Sequence, residues 1–379
     1  MVRIAFILFT NLSVGAGTEN TIIEYCKNAP PQFDITIVQT DNPRGQMKCD
    51  KKCFGGRDVK LITIKGYDHK FSFISRNIVG KILYLFLIQP VLFRMLGLTA
   101  YRGIQKQIGH QDIIYVVQNH FSSLFKKGPI IIGNTQCWNP IQSGIKSIFT
   151  KFVEQGIFWH RIDYFQVFHH YSFILSRKKG FVLDNGVDTS TFSILNKDRS
   201  KKNFVFWGRL EECKGVKVVV DAFKALGSQY VRLNIIGQGS LSEWIRNDDN
   251  IEYSGYLSRG ELTNVLNESG CLVYPSTCDT FSLVVIEALA SGLYVIASTY
   301  LRGVFDEFQN LGVLEYCDPT PYALSERMKI FLSKDIDILA FDRAHQLIRE
   351  KYSWASISNS LYDHLTNYIE TGNGEIDQS

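Results

Sequence analysis

Two open parallel sheets in tandem, each wound on both faces by helices, make up the α/β fold class that this sequence predicts. Three observations carry that reading. Short runs rich in Ile and Val recur along the chain without strict polar alternation, as strands buried on both faces require. Longer amphipathic stretches fall between them, an order that implies βαβ units and a parallel sheet. The series runs through twice, and the turn at Asn185 to Asp188 and the charged run Asn196 to Lys202 separate the two passes.

The first pass offers Val2 to Phe9, Phe33 to Val38, Val59 to Ile64, Ile113 to Val117 and Ile130 to Ile132 as strands, with a sheet ending near Val182. The second offers Asn203 to Trp207, Arg232 to Ile236, Gly270 to Tyr274 and Tyr294 to Ala297, with helices over Val216 to Leu226 and Arg259 to Asn267. These passes divide the chain into domains at 1–190 and 191–355. Residues 356–379 follow as a closing helix and a polar tail that frays after Thr371.

Composition narrows the function. A length of 379 residues fits two domains, and 45% hydrophobic with 21% charged residues fits a globular chain with real cores. A net charge of +4 gives no support to nucleic-acid binding. Eight dispersed cysteines read as free thiols of a cytoplasmic protein, and Cys49 with Cys53 lacks the second pair a metal knuckle needs. The apolar stretch Ile4 to Leu12 runs into a Gly-rich turn and reads as a first strand, not a signal core. The uncharged run Ile82 to Phe93 is flanked by Lys81 and Arg94 and interrupted by Pro90, too short to span a bilayer. Two readings stand for it: a buried helix, or a peripheral membrane contact through residues 78–98 on an anionic leaflet.

Chemistry gathers at strand ends of the second pass. Gly208-Arg209-Leu210 and Lys214-Gly215 put two cations in a strand-to-helix turn, where helix N–H groups favour a diphosphate. Gly237-Gln238-Gly239 lets backbone approach a ligand closely, and the absence of a third glycine at dinucleotide spacing argues against a nicotinamide. Asp279 lies in the turn after Tyr274, and Glu287 lies in the helix beginning near Ser282. Both carboxylates can accept hydrogen bonds from sugar or ribose hydroxyls. His169-His170 and Asp335-Ile336-Asp337 lack supporting partners and read as structural, so no metal site is expected.

In their order these motifs resemble the retaining GT-B glycosyltransferases of family 4, also called group 1. The likeness rests on the Gly-Arg-Leu turn, Lys-Gly, Gly-x-Gly, a carboxylate eight residues before Glu287, and Asn185-Gly186-Val187-Asp188 ahead of the second domain. It implies two Rossmann-like domains facing across a cleft, with the closing helix crossing back to the first, acceptor-binding domain. It implies transfer of a hexose from a nucleotide-diphosphate sugar to a hydroxyl of a glycan or lipid-linked acceptor, in cell-envelope glycan or glycoconjugate biosynthesis, with no metal or cofactor. Arg209 and Lys214 would hold the diphosphate, Glu287 the ribose, Ser282 and Leu283 the distal phosphate, and Gly237, Gly239, Tyr256 and Leu257 would line the donor site. Asp279 stands where the family has Glu, and would act beside the anomeric carbon directly or through a water. In the first domain, Gly17 belongs to a loop resembling the family's glycine-rich loop. The usual histidine is replaced by Gly133-Asn134-Thr135, which leaves His120 as either a substitute or a structural histidine. A nucleotide-sugar epimerase or a non-catalytic nucleotide-sugar binder are the competing readings on the same architecture.

Overall fold

The computed structural model describes residues 1–8, 12, 17–40, 51–64, 104, 106–117, 129–134, 162–193, 202–245, 249–335 and 337–371. The apolar run 82–93, the window 78–98, His120 and Cys49 lie outside them. The chain divides into two compact units, Met1–Leu183 with Ser358–Ser379, and Asp184–Ile357.

The first unit holds a seven-stranded sheet of β1 (Val2–Ile7), β2 (Phe33–Thr40), β3 (Lys60–Ile64), β4 (Ile113–Val116), β5 (Ile130–Asn134), β6 (Tyr164–Val167) and β7 (Gly180–Val182). Its order is β3-β2-β1-β4-β5-β6-β7 with every neighbouring pair parallel. The expected strands are present. β6 is additional, because Gln166 interrupts its apolar character. The structure buries that glutamine and gives it partners: it accepts from Tyr115 Oη, and its amide donates to Tyr25 Oη at 3.0 Å and to the Leu183 carbonyl at 3.3 Å. Asn134 donates to the same Tyr115 hydroxyl, so the polar groups across β4, β5 and β6 satisfy one another in the core. Helix α1 (Gly17–Lys27) packs its Ile22, Tyr25 and Cys26 inward.

The second unit holds β8 (Phe204–Trp207), β9 (Leu233–Ile236), β10 (Ile251–Tyr253), β11 (Cys271–Tyr274), β12 (Tyr294–Ser298) and β13 (Leu314–Cys317). They form a parallel sheet in the order β10-β9-β8-β11-β12-β13. β10 and β13 are its two edges and were not among the expected strands. Each carries a mid-strand glutamate, Glu252 or Glu315, which an edge tolerates and a buried strand would not.

Around this sheet run α2 (Val216–Leu226), α3 (Arg259–Glu268), α4 (Leu283–Ala290), α5 (Asp306–Asn310), α6 (Pro321–Ser333) and α7 (Ile338–Leu347). Their starts follow local chemistry. Ser258 and Glu261 form a reciprocal capping box on α3, and Thr320 caps α6 ahead of Pro321. Asp337 accepts from Leu339 N–H at 2.9 Å to cap α7. The residue that resembles half of a metal-binding Asp-x-Asp is therefore a helix cap. The core seats Phe204 against Phe223 and Phe331, with ring centroids 6.2 and 5.6 Å apart. Helix α8 (Trp354–Thr371) closes the chain. From Ser358 onward it belongs to the first unit, where Tyr362 Oη donates to the Tyr25 carbonyl at 3.0 Å and Tyr368 packs on Tyr164 at 4.4 Å.

Candidate functional site

In the second unit the strand order reverses direction at β8, which lies between β9 and β11. Ligands of open α/β sheets bind at such a switch point, beyond the carboxyl ends of the strands. The ladder between β8 and β11 pairs only Phe204 with Cys271 and Val205 with Leu272. The last two residues of each strand leave the ladder, and the loops that follow carry most of the expected donor residues.

Those loops are stitched together. After β8, a short 3-10 turn (Glu212–Lys214) leads through Gly215, at φ +80°, into α2. A side chain at Gly215 would bring its Cβ to 2.8 Å from the Pro275 carbonyl of the loop after β11. Thr277 N–H donates to the Cys213 carbonyl at 2.9 Å, and the Thr277 hydroxyl donates to it at 3.2 Å. The third loop is held as closely. Gly237 has φ +133°, and a Cβ there would lie 1.9 Å from the Gly208 carbonyl oxygen. Leu210 N–H donates to the Gln238 carbonyl at 3.0 Å, and Gly237 N–H to the Gly255 carbonyl at 2.7 Å. Glycine is thus required by contact at the turn where the sequence places close backbone approach.

The stitching brings Lys214 to Asp279. The lysine is buried, and its ammonium binds Asp279 Oδ1 in an ion pair with side chains 9% and 16% exposed. Tyr274, the last residue of β11, donates from its hydroxyl to Asp279 Oδ2 at 2.8 Å. Burial, then the Asp279 charge, push this phenol well above its ordinary range, so it stays a donor. Next to the pair, burial raises the Cys278 thiol to about 11, which leaves it protonated.

Glu287 has a different set of neighbours. Burial pushes its carboxyl up to about 7. The Trp207 indole, the Arg259 guanidinium and the Asp188 carboxylate act on it more weakly, the first two favouring the anion and the last opposing it. Among the described residues the Trp207 N–H is left without a well-aligned acceptor, so its effect on Glu287 is electrostatic and not a formed hydrogen bond. Asp188 is fixed in turn. Burial works against its anion, but hydrogen bonds from Ser190 and Thr191 hold its carboxyl below the usual range, and Arg259 pairs with it at 3.3 Å.

The remaining expected residues fall into place separately. Arg209 is exposed and close enough to Glu211 to favour that carboxylate, which Ser240 chiefly stabilises. Ser282 caps α4, accepting from Val285 N–H, and Leu283 opens the helix. Tyr256 is 77% exposed and Leu257 is half-buried, in the loop tied to Gly237. Gly17 opens α1 in the first unit. Tyr274 and Trp207 are the residues that sequence reasoning treated only as strand ends. The signal was a polar-tipped aromatic at the last buried position of adjacent strands, directly before each ligand turn.

Glycine-bearing turns at the switch point of a parallel β10-β9-β8-β11-β12-β13 sheet define a doubly wound α/β domain. Residues 187–354 match the family described as glycosyl transferases group 1. The gpi3 subunit of the Schizosaccharomyces pombe phosphatidylinositol N-acetylglucosaminyltransferase is 24% identical over 208 residues, 51% of this chain and 45% of that protein. The phosphatidyl-myo-inositol mannosyltransferase of Mycobacterium tuberculosis is 24% identical over 195 residues, 47% of this chain and 52% of that protein. The chain thus spans about half of the length of these relatives. Among solved structures, sucrose-phosphate synthase from Thermosynechococcus elongatus superposes with a TM-score of 0.73 at 14% identity, over 98% of this chain and 100% of that one. Two parallel sheets of seven and six strands with this likeness are the GT-B fold.

Proposed function

We propose that this protein is a retaining glycosyltransferase that moves a hexose from a nucleotide-diphosphate sugar to a hydroxyl of a glycan or lipid-linked acceptor. The observation that carries the reading is the Lys214–Asp279 pair at the mouth of the β8–β11 switch point, with Glu287 on the adjoining helix. A buried ammonium fixed in a turn is a preorganised point charge, and a diphosphate can take it over from the carboxylate that holds it. Arg209, exposed on the same turn, adds a forked donor. The ribose hydroxyls donate to Glu287 and favour its ionised form.

In the reaction, the bond between the anomeric carbon and the diphosphate breaks, and its electron pair leaves on the diphosphate. The acceptor hydroxyl oxygen bonds to the same carbon and gives up its proton to an oxygen of the departing diphosphate. Lys214, Arg209 and the N–H groups at the start of α4 stabilise the departing charge. Asp279 stands beside the sugar. No metal is needed, because cationic side chains and helix N–H groups do the work of charge stabilisation. A lipid-linked acceptor is favoured by the phosphatidylinositol substrates named for both relatives and by the apolar run 82–93. The enzyme would then work peripherally on the cytoplasmic face of a membrane; no described helix is long and apolar enough to cross one.

The test is release of free nucleoside diphosphate from a panel of nucleotide sugars, with and without glycan and lipid-linked acceptors, and product masses read by mass spectrometry. Release that depends on acceptor, with a product heavier by one hexose residue, supports transfer. Altered sugar without acceptor means epimerisation, and tight binding without turnover means a non-catalytic binder.

A further inference from the structure

Asp279 is one methylene shorter than the glutamate it replaces, so its carboxylate reaches less far from the backbone by about 1.5 Å. A short carboxylate works at one place only if something else fixes where that place is. Both of its oxygens are engaged: Oδ1 by Lys214, and Oδ2 by the Tyr274 hydroxyl at 2.8 Å. Under the proposed function the diphosphate competes for Lys214. The carboxylate then loses one of its two anchors at the moment it is needed, and Tyr274 is the anchor that remains.

Tyr274 is built to stay in place. It is 2% exposed. Its ring stacks on Phe206 with centroids 5.9 Å apart and planes 24° from parallel. The turn at Gly208 lies over the ring edge, where even an added Cβ would sit 3.9 Å from both Cε2 and Oη. Pro275 follows at once, and the loop it begins is bonded to Cys213 through Thr277. A strand end, a stacked partner and a stitched loop therefore aim one hydroxyl at one carboxylate oxygen.

We infer that Tyr274 is the positioning residue of the transfer site, holding the shortened Asp279 carboxylate against the transferred sugar while the donor diphosphate occupies Lys214. This inference rests on the reading of Asp279 as a residue that touches the donor sugar.

The experiment is a double-mutant cycle of Tyr274→Phe and Asp279→Asn, with turnover and donor KM measured for all four proteins. Phenylalanine keeps the ring and its stacking, and a thermal melt checks that the fold is retained. The expected result is a loss in kcat of roughly ten- to thirtyfold for Tyr274→Phe, the size of one hydrogen bond to a charged group, with donor KM changed less than about twofold. In the Asp279→Asn background the same change is expected to cost less than about twofold. An equal loss in both backgrounds makes Tyr274 merely structural and overturns the inference, as does a loss confined to KM. If Asp279→Asn lowers kcat and Tyr274→Phe does not, the inference fails and the reading of Asp279 stands. If Asp279→Asn leaves kcat unchanged, the reading of Asp279 itself fails.

Discussion

Replacing Glu287 by Gln is expected to remove a pH dependence from the stability of the fold. Burial raises this carboxyl from 4.5 to about 7, which corresponds to about 3 kcal/mol at about 1.4 kcal/mol for each unit. Because the folded value lies above the unfolded one, the folded chain binds more protons between the two. The contribution of the neutral carboxyl is fully present below the unfolded value and is lost as the pH rises through about 7. Part of the Glu287 surface meets solvent, so the figure is an upper limit. Between about pH 5 and about pH 8 the wild type is expected to lose roughly 2 kcal/mol that the Gln variant keeps. Urea unfolding of both proteins at both pH values, followed by circular dichroism, measures it. The quantity of interest is the difference between the two pH-induced changes, in which the first unit cancels. Parallel pH dependence in the two proteins would refute the reasoning. So would a Gln variant destabilised most at the higher pH, since that means an ionised carboxylate whose partners stabilise it in the folded state.

Three other outcomes are expected. Lys214→Ala lowers turnover at saturating donor at least about a hundredfold, the loss of a preorganised charge contact of roughly 3 kcal/mol; unchanged turnover removes the lysine from the site. Gly237→Ala, whose Cβ would meet the Gly208 carbonyl, lowers stability by at least about 2 kcal/mol in urea and weakens donor binding; a variant as stable as wild type shows that the two turns are not in contact. Flotation with anionic liposomes carries the wild type upward, and Leu85→Asp reduces both flotation and turnover on a lipid-linked acceptor. If the wild type does not float and Leu85→Asp costs no activity, the acceptor is soluble.

The doubly wound order was legible wherever strands are buried on both faces, because uninterrupted apolar runs such as Ile113–Val116 and Tyr294–Ala297 leave little room for another reading. It failed at β6, β10 and β13, where Gln166, Glu252 and Glu315 break the run. An edge strand needs only one apolar face, and a satisfied core amide looks like any polar residue in a sequence. In the candidate site, glycine and charge at strand ends marked the turns, since those residue types are demanded locally. The Lys214–Asp279 pair was not legible as a pair. Its members are 65 residues apart and meet through backbone bonds from Cys213 to Thr277 that no spacing rule encodes. Nor was the direction of the Tyr274 hydroxyl, which depends on Phe206 and the Gly208 turn.

The division of the chain has a consequence for how the protein is made. The first unit takes its final helix from Ser358 onward, after all of Asp184–Ile357 has been built as the second unit. Tyr25, Phe33 and Tyr164 in the first unit contact Tyr362 and Tyr368 of that helix. The 174 residues between Leu183 and Ser358 (358 − 183 − 1) delay those contacts. At the pace of a ribosome the wait is roughly ten to thirty seconds. During synthesis the later half of the chain can therefore finish first, and the earlier half waits with an open seam along Phe33 and Tyr164. A chain shortened before Ser358 would keep the whole of the second unit and leave the first unable to close.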